Sequence, residues 1–477
     1  MRYFLKNNLL IILLIILFSF LFVYRFDWNT LVSWDEAWYG SIAREMLKTG
    51  DWMRMIWNSK PYYDHPPMGF WLIVISYKLF GISEFSTRLP SVVLSLLTII
   101  LVYKTGLELF GKKIIGFIAA LVMGTSVWYL IRVRSGNLDA VFIFFYILTI
   151  YLALRSSKQF AWFPLTMAAF GGLILSKTLV GFSAGILIVF LNFNQFFKLR
   201  NILWFLLGVA AIVSVAFPWY YIHIKNNPLF VQEHFLIIGT RNKSIASYFQ
   251  INAALPLFYL HMGVRKWYYL WIAGITSLLV TLRFFKKNVF FLFLWNFVIL
   301  YPFLTSDKSQ IWHLIPVYLP MSVIIGAGGY YGVELMKSII LKLKIKIISQ
   351  FNMLLMPIFL ILVFLIALQQ IKIFYPEVYP NSKYTPDDVD ISKRAGKYKQ
   401  PIYLDDDFLP IAVFYSNKPI ITVISLPDEK RSMLKFFQSD AKDFVMITRN
   451  WAVDSLKLGD IPYKILEKNN SFSIVSR

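Results

Sequence analysis

Carboxylates, a histidine, aromatic residues and paired prolines are concentrated in one polar stretch, residues 27–88, here called the first loop. Asp35-Glu36 lies near its start, just after an apolar run. A carboxylate close to a membrane boundary has a perturbed environment and can act as a general base. Adjacent helical residues point in different directions, so only one of the two acids would serve a given site. The alternative is an ordinary acidic helix start, because acids are favoured at a helix N-terminus.

A second candidate is the turn from Arg132 to Asp139, which contains two arginines and an acid. Guanidinium groups bind phosphates well, and a lipid phosphate would lie at about this depth of a membrane. Anchoring at the interface is the alternative for Arg132 and Arg134. Asp139 stands at the mouth of an apolar run, where a carboxylate is costly unless it has a partner or a function.

Further cations interrupt or flank apolar sequence. Lys177 and Lys308 each stand at the end of a predicted span, where a lysine either snorkels to the interface or contacts a phosphate. An additional basic group suited to lipid phosphates consists of Arg241, Lys243, Arg265 and Lys266.

Asp64, His65 and His261 offer carboxylate and imidazole groups to a metal ion. Asp64 and His65 are adjacent, His261 lies on another loop, and no pair has the i, i+4 spacing of a strong motif. A metal site and a role in packing are both left open for them. His234 and His313 are interpreted as interfacial histidines with satisfied hydrogen bonds.

Composition places these residues in a membrane protein. The chain has 477 residues, of which 58% are hydrophobic and 16% charged, whereas a soluble protein carries about a quarter charged residues. The net charge of +22 lies mostly in short clusters between apolar runs, so we expect no nucleic-acid partner. The absence of cysteine excludes disulfides, iron–sulfur clusters and thiolate chemistry.

Windows of about 20 predominantly apolar residues, the length of a membrane span, occur about eleven times. They are residues 8–25, 89–110, 114–132, 138–154, 160–176, 178–196, 202–221, 267–282, 288–304, 313–333 and 352–371. The first has no small-residue cleavage site after it and is expected to be retained. A cytoplasmic N-terminus satisfies the positive-inside rule at every cytoplasmic turn. The sequence therefore predicts a polytopic α-helical membrane protein of about 11 transmembrane helices, N-terminus in and C-terminus out, whose first loop faces outward.

The parts outside the spans have their own patterns. In the first loop, residues 36–47 have helical spacing and end at Gly50, and the apolar run 69–80 is short enough to be an interfacial helix. Residues 1–371 are predicted to form the transmembrane domain and residues 372–477 a small extracytoplasmic α/β domain. Its strands are expected at 401–404, 420–424 and 444–448, with helices near 428–438 and 450–457, in a partly parallel sheet. A docked cap and a direct role in acceptor binding are both open for this domain.

The order of motifs resembles a known class. Asp35-Glu36 is followed by Tyr62-Tyr63-Asp64-His65-Pro66-Pro67, by a Phe-x-x-Arg-Leu-Pro element ending at Pro90, and by an Arg-x-Gly-x-Leu-Asp-like turn. Leu-x-Lys, Pro-Trp-Tyr and Ser-x-Lys-x-x-x-x-His/Tyr-x-x-Pro-like elements come next. Together, over about residues 27–330, they resemble the GT-C class of membrane glycosyltransferases, and are most similar to the protein O-mannosyltransferases and the lipid A aminoarabinose transferase.

The resemblance implies transfer of a sugar from a polyprenyl phosphate, with inversion, to an envelope lipid, glycan or protein on the outer face of a bacterial or archaeal cell membrane. By position, it makes Asp35 the base or acceptor-orienting carboxylate and Asp139 a second functional acid. The candidate donor-phosphate ligands are Arg134, Lys177, Lys308, Arg241 and Arg265. The candidate site-shaping residues are Glu36, Tyr63, Asp64, His65 and His313. In some relatives the positions of Asp64 and His261 hold a divalent metal ion, the candidate cofactor.

Two other functions are left open by the residues. A transporter or flippase for a lipid or envelope precursor would place charged groups near the midplane of the membrane, often with repeat symmetry. Here the acids lie in predicted outer loops, and no repeat relates the two halves. A non-catalytic envelope assembly factor would use the C-terminal part to recruit partners.

Overall fold

The architecture is that of a computed structural model. It describes residues 2–31, 34–177, 179–232, 234, 250–281, 286–306, 310–342, 351–380, 382–423, 432–439, 441 and 443–477. The helices of the apolar part are α1 (Arg2–Val23), α2 (Trp34–Thr49), α3 (Met68–Phe80), α4 (Glu84–Phe110), α5 (Lys113–Gly124), α6 (Val127–Val133), α7 (Asp139–Lys158), α8 (Phe163–Ile174), α9 (Ser183–Phe196), α10 (Ile202–Asn226), α11 (Ala254–Val264), α12 (Trp267–Thr281), α13 (Lys286–Leu304), α14 (Tyr318–Lys342) and α15 (Leu355–Val378).

Among the described residues, six helices are long and apolar enough to cross a membrane, or seven if α5 and α6 form one bent span. The prediction of a polytopic α-helical membrane protein is confirmed at this level. The count of about 11 is not, because the windows at 160–176, 178–196 and 267–282 coincide with apolar helices shorter than 18 residues, and the apolar part of α1, Asn8–Val23, is also shorter than that. A helix of 15 residues rises roughly 22 Å, less than the roughly 30 Å of a hydrocarbon core.

The bend between α5 and α6 measures 70°. Thr125 and Ser126 occupy the break, and their hydroxyls donate to the carbonyls of Leu121 and Val122, the acceptors four residues earlier. Such back-bonding competes with the regular helix ladder and accompanies bends. The bend gives α6 its own direction, so its last turn carries Arg132 toward the start of α7.

The first loop folds into two short helices around a hairpin. Helix α2 has Asp35 and Glu36 in its first turn and ends before Gly50, whose φ of +70° suits glycine. Helix α3 spans the apolar run predicted to be an interfacial helix. Between them lies a hairpin of β1 (Ile56–Trp57) and β2 (Lys60–Pro61), which sequence reasoning did not predict. Its turn residues Asn58 and Ser59 both have positive φ, as a two-residue hairpin turn requires.

A five-stranded mixed sheet lies near the C-terminus, in the order β4-β3-β5-β7-β6. Strand β3 is parallel to β4 and β5, and β7 is antiparallel to β5 and β6. The elements are α16 (Asp387–Ala395), β3 (Ile402–Leu404), α17 (Leu409–Ser416), β4 (Ile420–Thr422), α18 (Ser432–Gln438), β5 (Val445–Arg449), α19 (Asn450–Leu458), β6 (Lys464–Lys468) and β7 (Phe472–Ser476). Strands β3, β4 and β5 lie where three strands were predicted.

Candidate functional site

Three of the predicted site residues meet in one ion network. Asp35 Oδ2 lies 2.6 Å from Arg132 Nη2, and Arg132 Nε lies 2.7 Å from Asp139 Oδ2. The other oxygen of Asp139 lies 2.7 Å from Lys177 Nζ. Four elements supply these groups: the first turn of α2, the last turn of α6, the first residue of α7 and the residues after α8. The side chain of Asp35 is 30% exposed and that of Asp139 is 8% exposed, so Asp35 is the carboxylate that an incoming molecule can reach.

The turn between α6 and α7 is held by Asn137. Its side-chain amide donates to the carbonyl of Arg132 at 2.9 Å, and its oxygen accepts from the backbone N–H of Asp139 at 2.8 Å. Asparagine commonly satisfies local backbone groups in this way. These bonds fix the start of α7 relative to the end of α6, and with it the spacing of Arg132 and Asp139.

Glu36 has different partners from Asp35, as adjacent helical positions predict. Its carboxylate forms a bidentate pair with Arg88, at 2.7 and 2.9 Å, and accepts from the backbone N–H of Gly136 at 2.7 Å. Arg88 donates in addition to the carbonyls of Phe26, Asn29 and Thr30. Both side chains of the pair are buried. Glu36 therefore joins α2, α4 and the segment after α1.

A cavity of about 590 Å³ lies next to the network and has a basic lining. Its charged residues are Arg25, Glu36, Arg88, Arg134 and Arg265. Its apolar walls include Phe26, Val127, Trp128, Ile131, Met262 and Ile311. The ring of Trp128 contacts that of Trp312, over which the Arg132 guanidinium lies at 5.3 Å. Glu36 and Ile131, which line the cavity, precede or follow the network residues Asp35 and Arg132 in the chain, although the four network residues themselves do not line it. The cavity combines excess positive charge with apolar surface.

Arg134, a predicted phosphate ligand, is deeply engaged in the fold. Its guanidinium donates to the carbonyls of Leu21, Phe22 and Tyr24 at the end of α1, at 2.9, 3.1 and 2.7 Å. It also lies 4.5 Å from the ring of Tyr379. Burial lowers the pKa of Arg134 to about 10. These contacts favour a structural role that closes α1, while phosphate binding by Arg134 stays a prediction.

Tyr39 joins the site from the same face of α2 as Asp35, four residues on. Burial, followed by the negative charges of Asp35 and Asp139, raises the pKa of Tyr39 well above its usual value, and Asp64 acts in the same direction. Its hydroxyl is therefore a neutral hydrogen-bond group. The Tyr39 ring packs edge-on against His65, with centroids 6.0 Å apart. Asp64 and His65, two predicted site-shaping residues, thus lie beside the network.

Tyr63, another predicted site-shaping residue, contacts its neighbours through both its backbone carbonyl and its ring. Its carbonyl accepts a hydrogen bond from Nδ1 of His234 at 2.8 Å, and its ring packs against His223 and Phe230. His234 is buried, with this bond satisfied.

His313 accepts at Nδ1 from the backbone N–H of Gln310 and closes the turn there. Lys308 and Arg241 lie outside the described residues.

Nε2 of His261, a candidate metal ligand, hydrogen-bonds to the hydroxyl of Tyr269 at 3.2 Å. Within the described ranges, no group of three or more His, Asp or Glu side chains lies close enough to hold a metal ion. A divalent cation commonly takes more ligands than a single carboxylate and imidazole provide. The described surroundings of Asp64 and His261 thus supply no such group, and a metal ion held by these two residues stays a prediction.

Sequence reasoning assigned no site role to Arg88 and Tyr39, and it treated Arg132 and Arg134 alike, as phosphate ligands or interfacial anchors. Signals for them were present in the sequence. An arginine at the start of an apolar helix, as at position 88, is costly unless it is paired. Tyr39 has the i, i+4 spacing from Asp35 that places two residues on one helix face. Arg132 and Arg134 are equivalent by composition, and the structure distinguishes them by their contacts.

The chain is similar in sequence to several known proteins. Residues 64–222 match a family described as dolichyl-phosphate-mannose-protein mannosyltransferase. A Proteus mirabilis protein named undecaprenyl phosphate-alpha-4-amino-4-deoxy-L-arabinose arabinosyl transferase 2 is 25% identical over 329 residues, 65% of this chain and 58% of that protein. An Aquifex aeolicus protein is 27% identical over 191 residues, 39% of this chain and 38% of that protein. The matches thus span 38% and 58% of these two curated relatives.

Two solved structures share the architecture. ArnT from Cupriavidus metallidurans bound to undecaprenyl phosphate superposes with a TM-score of 0.73 at 17% identity, covering 99% of this chain and 98% of that one. The Archaeoglobus fulgidus oligosaccharyltransferase in its apo form gives 0.58 at 12% identity, covering 92% and 69%. The resemblance expected from the order of the motifs is therefore confirmed, and the chain has the fold of GT-C class membrane glycosyltransferases.

Proposed function

We propose that the protein transfers a sugar from a polyprenyl-phosphate donor to an envelope lipid, glycan or protein at the outer face of the membrane. The observation that carries the proposal is the Asp35–Arg132–Asp139–Lys177 network beside a basic, partly apolar cavity. The name of the Proteus mirabilis relative describes a sugar on undecaprenyl phosphate, and the Cupriavidus metallidurans structure holds undecaprenyl phosphate. A transferase with such a donor needs no nucleotide, which suits an outer active face.

The donor phosphate is proposed to bind at the cavity, next to Arg265. Guanidinium groups match phosphate oxygens, and the apolar walls suit the first units of a polyprenyl chain. Arg132 and Lys177, the two cations of the ion network, are proposed to stabilise the negative charge that develops on the leaving phosphate. Because Asp139 already bonds to both of these cations, its proposed role is to hold them in place.

Asp35 is proposed to orient and deprotonate the acceptor hydroxyl. The acceptor oxygen attacks the anomeric carbon while its proton passes to the Asp35 carboxylate. The bond between the anomeric carbon and the phosphate oxygen breaks, and its electron pair leaves with the polyprenyl phosphate. Attack on the side opposite the leaving phosphate inverts the anomeric centre. Arg132 holds the carboxylate in position through the 2.6 Å contact.

This function requires a particular topology. We propose that the shorter apolar helices also cross the membrane, giving the eleven spans of the sequence prediction, with the N-terminus inside and residues 372–477 outside as an α/β domain. The cell membrane of a bacterium or an archaeon would then present the first loop to the envelope. The positions of lysine and arginine between the apolar runs support this orientation.

The experiment is transfer from labelled undecaprenyl-phosphate mannose or aminoarabinose in proteoliposomes, with membrane extract as the acceptor source. Wild type is compared with Asp35→Asn, which keeps the shape of the side chain but removes its basic carboxylate. Asp51→Asn is the matched control, because Asp51 is an exposed acid of the same loop, paired only loosely with Arg54 at 3.8 Å. We expect a labelled product with wild type and Asp51→Asn, and a loss of at least about 100-fold with Asp35→Asn.

Equal rates in wild type and Asp35→Asn would contradict the role of Asp35. Movement of the labelled lipid between leaflets at equal rates in all three proteins, with no new product, would overturn the transferase and indicate a flippase instead.

A further inference from the structure

We propose that the C-terminal segment, residues 387–477, holds the first turn of α2, which carries Asp35, in the position needed for sugar transfer. Arg44 is the positioning residue that links this segment to α2. The inference rests on the proposed function, because it assigns Asp35 a role in the reaction. It concerns the contact surface between α2 and α17, which is called the seam below.

The hydrophobic core of the C-terminal segment includes two residues of the first loop. Leu31 and Ala37 are both fully buried in the cluster that contains Val389, Ile411 and Phe414. Leu31 and Ala37 flank Asp35 and Glu36 in sequence. The acid pair is therefore attached on both sides to the core of a segment that follows it by more than 350 positions. A shift of that core relative to α6 and α7 would move Asp35 away from Arg132.

Arg44 connects the middle of α2 to the end of α17. Its Nη1 donates to the carbonyl of Phe414 at 2.6 Å, and its Nη2 to that of Val413 at 3.0 Å. The last carbonyls of a helix have no partner within the helix and carry partial negative charge. Arg44 is only 4% exposed, and burial lowers its pKa. A buried guanidinium that supplies these helix-end partners makes a directional connection between the two helices, which apolar packing alone does not provide.

The surrounding contacts make the seam close and specific. A Cβ at Gly40 would lie 2.9 Å from Cε2 of Phe414, so only glycine allows this approach. The hydroxyl of Tyr415 accepts from the backbone N–H of Leu31 at 2.6 Å and donates to Glu84 at 2.9 Å. In the hairpin turn of the first loop, Asn58 exchanges two hydrogen bonds with the backbone of Ile420, at 2.7 and 2.8 Å.

The geometry connects the seam to the reaction. Arg44 and Asp35 are nine residues apart on one helix, or roughly 14 Å along its axis. A regular helix transmits a displacement over this distance without absorbing it. Misplacing a catalytic group by about 1 Å can reduce the rate by about 100-fold. Loosening the seam should therefore slow the chemical step more than it weakens donor binding, because Glu36 is the one residue of the described cavity lining that lies on α2.

The test uses Arg44→Met in the full-length chain, in proteoliposomes with the labelled donor. We expect kcat to fall at least about tenfold and the KM for the donor to stay within about twofold, because Glu36 alone among the residues described as lining the cavity lies on α2, and the variant keeps its pair with Arg88. The matched control is Lys48→Met, since Lys48 is exposed and bonds to Asn417 across the same seam. Its kcat should stay within about twofold of wild type. An equal fall in both variants would overturn the assignment to Arg44.

A second measurement does not depend on activity. Hydrogen exchange of the peptide covering residues 31–37 should accelerate in Arg44→Met and stay unchanged in Lys48→Met. The chain has no cysteine, so a bismaleimide bridge between Lys48→Cys and Asn417→Cys can rejoin the seam in the Arg44→Met background. If the bridge restores both slow hydrogen exchange of residues 31–37 and the wild-type kcat, the result would support a positioning role for Arg44.

Accelerated exchange with unchanged kcat, or lowered kcat with unchanged exchange, would overturn the inference. If wild-type protein transfers no sugar, the proposed function fails, while the exchange measurement still decides whether the seam holds the turn.

Discussion

At the scale of single residues, Arg132 is the centre of the candidate site. It donates to two carboxylates at once, through Nη2 to Asp35 and through Nε to Asp139. A guanidinium can do this because its donors point in several directions in one plane, whereas an ammonium is a compact point charge. The two carboxylates bind different nitrogens of this fork, so the spacing of Asp35 and Asp139 depends on the guanidinium shape.

We expect Arg132→Lys to lower transfer by about 100-fold while retaining the positive charge, because lysine cannot reach both carboxylates in the same geometry. Initial rates with labelled donor in proteoliposomes measure this effect. Arg155→Lys is the matched control, since Arg155 is half-exposed and lies 3.5 Å from Glu108 in a looser pair. Its rate should stay near that of wild type. Near-normal transfer by Arg132→Lys would show that charge alone, and not the fork, is required.

At the scale of elements, the site depends on short connections. The 70° bend after α5 sets the direction of α6. Asn137 fixes the turn between α6 and α7, and Gly136 allows this turn to pack closely against α4. The Cβ of any other residue at position 136 would lie 2.6 Å from Cγ2 of Thr87 and 3.1 Å from its carbonyl oxygen. The N–H of Gly136 also bonds to Glu36, so this one residue joins three helices that bear on the site.

Gly136→Ala should therefore separate the turn from α4 and shift the start of α7. We expect destabilisation of about 1–3 kcal/mol, the usual cost of overpacking, together with a lower kcat. Thermal unfolding in detergent and the transfer assay measure the two effects. Gly459→Ala serves as the control, because its Cβ would meet its nearest neighbours at ordinary contact distances of 3.4 Å. Wild-type stability and rate in the Gly136→Ala variant would contradict a structural requirement for glycine in this turn.

At the scale of the whole molecule, apolar helices and a C-terminal mixed sheet meet at the first loop. The orientation of the molecule in the membrane stays a prediction, and so does the division into domains at residue 371. The absence of cysteine makes the orientation directly measurable, because any introduced thiol is unique in the chain.

We expect an impermeant maleimide added to intact cells or spheroplasts to label Lys60→Cys and Lys468→Cys. Lys112→Cys and Lys198→Cys should react only after the membrane is permeabilised. All four positions are exposed on the protein, so a difference in labelling reports the side of the membrane. Labelling of Lys112→Cys in intact cells, or protection of Lys60→Cys, would reverse the topology and exclude an outer active face.

Much of the architecture was readable from sequence because it depends on local composition. Long apolar runs became helices, Gly50 ended α2, and the short β-rich runs near residues 402, 420 and 445 became strands. Asp35, Asp139 and Lys177 were also identifiable, since isolated charges beside apolar sequence are costly without a purpose. The number of long membrane-spanning helices was harder to predict from the sequence, because hydropathy does not show where a helix is broken.

Tertiary structure alone decided which charges meet. Arg132 and Arg134 differ by two positions and are identical in chemistry, yet one bridges two carboxylates and the other closes α1. Likewise, nothing local places Leu31 and Ala37 in a core formed by residues beyond 388. The sequence by itself determined the apolar and acidic elements, because the hydrophobicity and the charge of a side chain are properties of each residue. Which charged side chains pair depends on the relative placement of several elements that are distant in sequence, and only the folded chain establishes that placement.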